Sequence, residues 1–135
     1  MYKIYKIPDE AVEMRPFKIK GIISKGFGEG KYYVSAYSNI IARNLGWKPY
    51  PGTINIIVNE ATWRTVRALA NKKINGFKKN NRIFHDVYYV ECVLKGVRGI
   101  IVFPIVSKHG KNVIEVILPK KININMGENV EVLVI

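Results

Sequence analysis

Apolar residues recur along this chain with two different periods, and the change of period divides it. "FKIKGIIS", residues 17–24, alternates apolar and polar positions before turning more apolar, which marks a strand. Within "YVSAYSNIIARNLGW", residues 33–47, Ile40, Ile41 and Leu45 fall on one face of a helix that Ser38 can cap and Gly46 can end. "KPYPG", residues 48–52, is a rigid turn, because Pro49 and Pro51 fix φ and disfavour helix before them. "TINIIV", residues 53–58, reads as a strand, and "EATWRTVRALANKK", residues 60–73, returns to helical spacing at Trp63, Val66 and Ala70. From residue 86 the pattern is β. "DVYYVECVL", "VRGIIVFPIV", "NVIEVILP" and "NVEVLVI" are rich in β-branched and aromatic residues; "LKGVRG" is the turn joining the first two, and "NMGEN" turns into the last. The predicted fold is mainly β: about six strands in a small barrel, whose closure removes exposed edges, with one or two short helices.

Composition narrows the picture. The chain has 135 residues, enough for one domain with a real core, and neither an internal repeat nor a low-complexity linker divides it, so a single domain over 1–135 is expected. Hydrophobic residues make up 48% and charged residues 24%, which is globular rather than disordered. No apolar run is long enough to span a bilayer, and the start, "MYKIYKIPDE", lacks the apolar core of a signal peptide. The single cysteine, Cys92, sits inside a strand pattern and reads as a buried apolar residue. These features together predict a cytoplasmic protein without a membrane partner.

Charge adds a second constraint. The formal net charge is +12, and no carboxylate falls between Glu60 and Asp86, where Arg64, Arg67, Lys72, Lys73, Lys78, Lys79 and Arg82 lie. That balance favours an anionic partner, whether nucleic acid, a phosphorylated small molecule or an acidic surface; a solvated basic face gives the same composition.

Two short stretches carry candidate chemistry. "KGFGEGKYY", residues 25–33, places Gly26, Gly28 and Gly30 between two lysines. It lacks the Gly-Lys-Ser/Thr of a Walker A loop, and no helix pattern begins at its end as a dinucleotide fingerprint requires. Backbone amides free of Cβ crowding can form a concave anion site, and a hairpin tip uses the same residues. In "PYPGTINI", Thr53 and Asn55 are two apart on a strand and so share a face. Two neutral oxygens suit Mg²⁺ only if phosphates supply most of the charge; otherwise they are the polar side of a half-buried strand. His85 and His109 stand apart and give no zinc spacing. "SKHGK", residues 107–111, is either a solvated turn or a binding loop.

Taken together, "GIISKGFGEGKYY", Tyr37 and "LGWKPYPGTIN" resemble the archaeal CTP-dependent riboflavin kinase family. That family shows G-x-G-E-G-x-Y/F-F/Y, a later tyrosine, and L-G-F-x-P-Y-x-G-T-L-N; here Trp47 replaces the usual Phe and Ile54 the usual Leu. The matching block runs from about residue 21 to 57, and Glu115 and Pro119 of "EVILP" fit a second family motif, E-[IL]-I-A-P. The resemblance implies a six-stranded cradle-loop barrel. It also implies transfer of the terminal phosphoryl of CTP to the 5′-hydroxyl of riboflavin, giving FMN and CDP, with Mg²⁺ as cofactor.

Residue roles follow from the resemblance. Gly26, Phe27, Gly28, Glu29, Gly30 and Lys31 lie against the nucleotide, Thr53 and Asn55 hold Mg²⁺, and Ser107 and Glu115 contact the flavin. Ser107 takes the place of a family Thr, and Val106 stands where Arg is frequent. Lys120, Lys121, Ile122 and Asn123 match a nucleotide-contacting segment in position more than in residue type. Glu115 is expected to orient the riboflavin hydroxyl and to accept its proton. The expected partners are CTP and riboflavin, on a monomer. A DNA-binding barrel is the alternative from charge, but leaves the paired motifs unexplained. A flavin-binding protein without kinase activity is the alternative from Ser107 and Val106.

Overall fold

The computed structural model describes residues 16–26, 30–107 and 109–135. In chain order the elements are β1 (Phe17–Ser24), α1 (Gly30–Leu45), β2 (Ile54–Ile57), α2 (Glu60–Leu69), β3 (Lys72–Ile74), β4 (Phe77–Lys79), β5 (Arg82–Phe84), β6 (Val87–Leu94), β7 (Val97–Pro104), β8 (Val113–Ile117) and β9 (Asn129–Val134). The main sheet has the order β3-β6-β7-β8-β2-β1-β9, and β9 returns to pair with β6. Six antiparallel strands therefore close on themselves, and β3 adds to β6 outside the ring. β6 serves both roles by length: Val87, Tyr88 and Tyr89 pair with β3, whereas Cys92, Val93 and Leu94 pair with β9.

Strand alternation gives the barrel wall two different faces. The inner face is aliphatic: Ile19, Ile56, Leu94, Ile101, Ile114 and Val132 are almost fully buried, and Cys92 lies among them as expected. The outer face is covered in part by α1, whose Val34 and Ile41 pack against Ile74, Val87, Tyr89, Ile100, Val102 and Ile117. The β6–β7 turn is tight, with Lys95 and Gly96 both at positive φ (48° and 76°), the geometry of a two-residue hairpin that follows strand twist.

Three expectations need correction or extension. α1 starts at Gly30 rather than near Ser38, so Ser38 lies inside the helix, and a helix does follow directly on the glycine stretch. Burial of Val34 and Ile41 holds this first half in helix although Gly, Tyr and Ser there are indifferent helix formers. Gly46 ends the helix as expected, at φ +81°. α2 stops at Leu69, and its cap is Asn59, whose side chain accepts from the Thr62 amide at 2.7 Å. Strands β3, β4 and β5 arise within the basic segment, where the period was too short to read. β4 and β5 form a separate hairpin turned by Asn80 and Asn81, both at positive φ (51° and 61°). Among the described residues no helix is long and apolar enough to cross a membrane.

Candidate active site

One row of cross-strand neighbours builds the site. On the outer face Ser24 pairs with Asn55, Asn55 with Glu115, Glu115 with Val102, Val102 with Tyr89, and Tyr89 with Lys72. Polar side chains thus occupy the β1–β2–β8 end and apolar ones the β7–β6 end. α1 crosses above this row and leaves a cavity of about 560 Å³ beneath it. Val34, Ile41, Ile74, Val87, Val102 and Ile117 line the apolar end. Thr53, Asn55, Glu115, Gly26, Gly30, Lys25 and Lys31 line the polar end. Ser107 and His109 complete the wall from the loop after β7.

The glycines touch the Thr-x-Asn pair. A Cβ on Gly26 would lie 2.3 Å from Asn55 Nδ2, and one on Gly30 would lie 2.7 Å from Thr53 Oγ1. Such distances leave no room for a side chain, so both positions need glycine for close approach rather than for an unusual φ. Two stretches more than twenty residues apart in the chain therefore form one surface. Asn55 is 6% exposed, and its Oδ1 is buried with no hydrogen-bond partner among the described residues. An unsatisfied buried acceptor costs about 1–3 kcal/mol, and a donor or cation arriving there recovers that cost.

Glu115 is mostly buried in the same wall. Burial pushes its carboxyl above the usual carboxylate range, and the Thr53 hydroxyl, donating to Oε1 across a long 3.5 Å, offsets only part of this. His109 Nε2 lies 3.9 Å from the same oxygen, and burial pulls this imidazole below its ordinary pKa. The Ser107 hydroxyl accepts from the His109 amide at 3.2 Å and shapes the loop that brings the imidazole in. A carboxyl with a raised pKa beside neutral oxygens, in a cavity that two lysines also line, suits proton acceptance next to an anionic group. Among the described residues no group of three or more His, Cys, Asp or Glu side chains could hold a metal ion. A cation at this end would therefore rely on neutral oxygens and on ligand phosphates, and the unpaired Asn55 Oδ1 fits such a cation.

A model of the family CTP-dep_RFKase, described as "Domain of unknown function DUF120", matches residues 23–134. The chain belongs to this family. It is similar to the riboflavin kinase of Archaeoglobus fulgidus, 36% identical over 115 residues, covering 82% of this chain and 49% of that protein. The riboflavin kinase of Ignicoccus hospitalis is 31% identical over 129 residues, covering 89% of this chain and 72% of the relative. The corresponding values for the Pyrococcus abyssi riboflavin kinase are 34% over 123 residues, 87% and 58%. The chain thus spans from about half to under three-quarters of the length of these relatives.

Half of the site residues singled out from sequence meet in the cavity: Gly26, Gly30, Lys31, Thr53, Asn55, Ser107 and Glu115 all line it. Phe27, Gly28 and Glu29 lie outside the described residues. Lys120, Lys121, Ile122 and Asn123 are not in its lining. Ile122 packs against the barrel core, and the Asn123 carbonyl accepts from Lys95 at 2.8 Å. Their neighbour Pro119 instead lines a second, shallower hollow of about 460 Å³ with Lys48, Pro49, Tyr50 and Pro51, on another side of α1.

Sequence reasoning did not find the wall made by β4–β5. Arg82, Ile83, Phe84, His85 and Asp86 line the cavity, with Tyr33 and Tyr37 facing them from α1. The available signal was Asn80-Asn81 midway between Phe77 and Phe84, a hairpin turn flanked by matched aromatics. Much of the basic segment has internal work. Lys72 pairs with Glu91, Lys73 with Asp86 and Arg64 with Glu60, and Arg67 stacks 4.6 Å from the Tyr88 ring centroid.

Proposed function

We propose that the protein is a CTP-dependent riboflavin kinase, moving the terminal phosphoryl of CTP to the 5′-hydroxyl of riboflavin and releasing FMN and CDP. One observation carries this reading: Gly26 and Gly30 lie directly against Asn55 and Thr53, so the two motifs shared with riboflavin kinases form a single polar site. The family's name supports CTP as the donor, and the relatives' names support riboflavin as the acceptor. The cavity matches the acceptor in polarity. An apolar end suits a tricyclic ring, and the polar end suits the alcohol terminus of its chain.

In this reading the glycine stretch from Gly26 to Gly30 and the first turn of α1 hold the phosphates, with Lys25 and Lys31 supplying positive charge. The amides at a helix start attract anions, and phosphoryl transfer depends mainly on alignment and charge neutralisation. Thr53 and Asn55 would hold Mg²⁺, which when bound neutralises phosphate charge. Glu115 accepts the proton of the riboflavin hydroxyl as that oxygen forms its bond to phosphorus and the phosphorus–oxygen bond to CDP breaks. Its raised pKa, a consequence of burial, makes the ionised form a better proton acceptor than an exposed Glu. Ser107 contributes a hydroxyl to the flavin side, and Lys120, Lys121, Ile122 and Asn123, outside this cavity, are assigned to the nucleotide by the resemblance alone. Incubating the protein with riboflavin, Mg²⁺ and each nucleoside triphosphate tests the assignment. FMN should form, and with CTP above all; no FMN with any triphosphate contradicts it.

A further inference from the structure

The hairpin β4–β5 is not part of the barrel, yet it is fixed to α1 by an aromatic cluster. Phe77 stacks on Phe84 with centroids 4.8 Å apart, and Tyr37 meets both rings edge-on at 5.2 and 5.9 Å. Tyr32 and Tyr33, in the first turn of α1, reach the same Phe84. At the hairpin base the Gly76 amide donates to Asp86 Oδ1 at 2.7 Å, and Tyr37 Oη donates to the His85 carbonyl at 2.6 Å. Burial, with the Asp86 charge nearby, pushes that phenol up to about 12, so it remains a donor.

This scaffold holds one cation in place. The Arg82 guanidinium lies 4.9 Å from the Tyr32 centroid, 5.6 Å from Tyr33 and 5.5 Å from Phe84. Its Nη1 donates to Tyr32 Oη at 3.3 Å and its Nη2 to Tyr33 Oη at 3.1 Å. Both acceptors are phenol hydroxyls, and no ion pair joins Arg82 to a carboxylate among the described residues. Arg67, also stacked on aromatic rings, contrasts with it. Arg67 donates to the Ala70 carbonyl and does not line the cavity, whereas Arg82 lines it together with Lys25 and Lys31. A planar guanidinium stacked on aromatic rings keeps its remaining N–H groups in a fixed fork, the arrangement that suits two phosphate oxygens.

We propose that Arg82 is a phosphate-binding residue of this site, delivered by the β4–β5 hairpin to the polyphosphate held at the start of α1. The Tyr32 and Tyr33 hydroxyls restrain the guanidinium before the anion arrives, so little side-chain entropy is lost when it binds. This inference rests on the reading of the site as a phosphoryl-transfer site, but the anion alone can test it. Calorimetry with inorganic tripolyphosphate, with CTP and with riboflavin, each with Mg²⁺ present, should be compared for the wild type, Arg82→Ala and Arg82→Lys. Arg82→Ala should weaken tripolyphosphate and CTP about 10- to 100-fold, the range for a charge-assisted contact, and leave riboflavin within about twofold. Arg82→Lys should recover part of the loss, since it keeps charge but not the fork.

Equal losses for riboflavin and tripolyphosphate, with a lowered unfolding midpoint, would make Arg82 a packing residue and overturn the proposal. Unchanged tripolyphosphate and CTP affinity in Arg82→Ala would overturn it too, while leaving FMN formation by the wild type as a separate result. Loss of tripolyphosphate binding in a protein that makes no FMN would sustain it and sink only the kinase assignment.

Discussion

The two faces of the β2 and β8 strands differ more than any two regions of the molecule, although their residues alternate along the same backbone. Ile56, Ile114 and Val116 point into the barrel, are fully buried and belong to its apolar core cluster. Asn55 and Glu115 point the other way, opposite each other in register, into a cavity where Asn55 Oδ1 has no hydrogen-bond partner among the described residues. The inner face is satisfied as it stands; the outer face is the one a ligand would complete in the proposed function. An unmet buried acceptor and a carboxyl held above its usual pKa are costs to folding, and proteins keep such costs mainly where chemistry uses them.

Substitutions on the outer face should therefore damage turnover and spare the fold. The largest effect is expected at Glu115. Glu115→Gln keeps shape and a hydrogen-bond acceptor but cannot take a proton, so turnover with saturating riboflavin should fall roughly 10²–10⁴-fold. Calorimetry should still show CTP binding. An unchanged rate would remove Glu115 from the chemistry and leave alignment to the loop and the Thr-x-Asn pair.

Next comes the glycine contact. Gly26→Ala places a methyl 2.3 Å from Asn55 Nδ2, and the strain of overpacking, about 1–3 kcal/mol, should appear as weaker nucleotide binding. Riboflavin affinity should change less. Equal losses for both ligands would mean that the loop supports the whole outer face rather than its polar end.

The smallest effect is one of pH. In the folded protein the Glu115 carboxyl binds its proton more readily than in the unfolded chain, because burial disfavours the ionised form. The folded state therefore holds more protons between the unfolded and folded pKa values, and stability falls as pH rises through that window. Activity moves the opposite way, since the ionised form is the proton acceptor: turnover should decline on acidification at a pH above the ordinary Glu range. Glu115→Gln should abolish this stability slope in urea titrations of the free protein. A slope that persists in the variant would place its origin in another group.

The inner face was legible from sequence because strand alternation and β-branched residues are direct consequences of burial on one side. Strands β1, β2 and β6 to β9, and the barrel they form, followed from that pattern. The outer face was legible only where motif and fold coincide. Parity put Thr53 and Asn55 on one face, but their meeting with Glu115 depends on the β2–β8 register, and no local pattern states a register. The start of α1 was missed because its helical stripe, Val34, Tyr37 and Ile41, begins within a run of Gly and Tyr that resembles a loop. The hairpin was missed because three-residue strands carry too few positions for a period. With it went Arg82, whose neighbours in sequence give no sign of the tyrosines it stacks on.

Asn55 and Ile56 are adjacent in the chain and separate the two faces most directly. Riboflavin phosphorylation across a Mg²⁺ titration and the free energy of unfolding in urea should be measured for Asn55→Ala and Ile56→Ala. Asn55→Ala should lose more turnover than the roughly 10–100-fold that loss of an outer-shell partner costs at a metal site, with stability nearly unchanged. Ile56→Ala should lose about 2–5 kcal/mol of stability and, while folded, retain most of its turnover. An Asn55→Ala protein that makes FMN at the wild-type rate at every Mg²⁺ concentration would contradict the division of labour between the two faces.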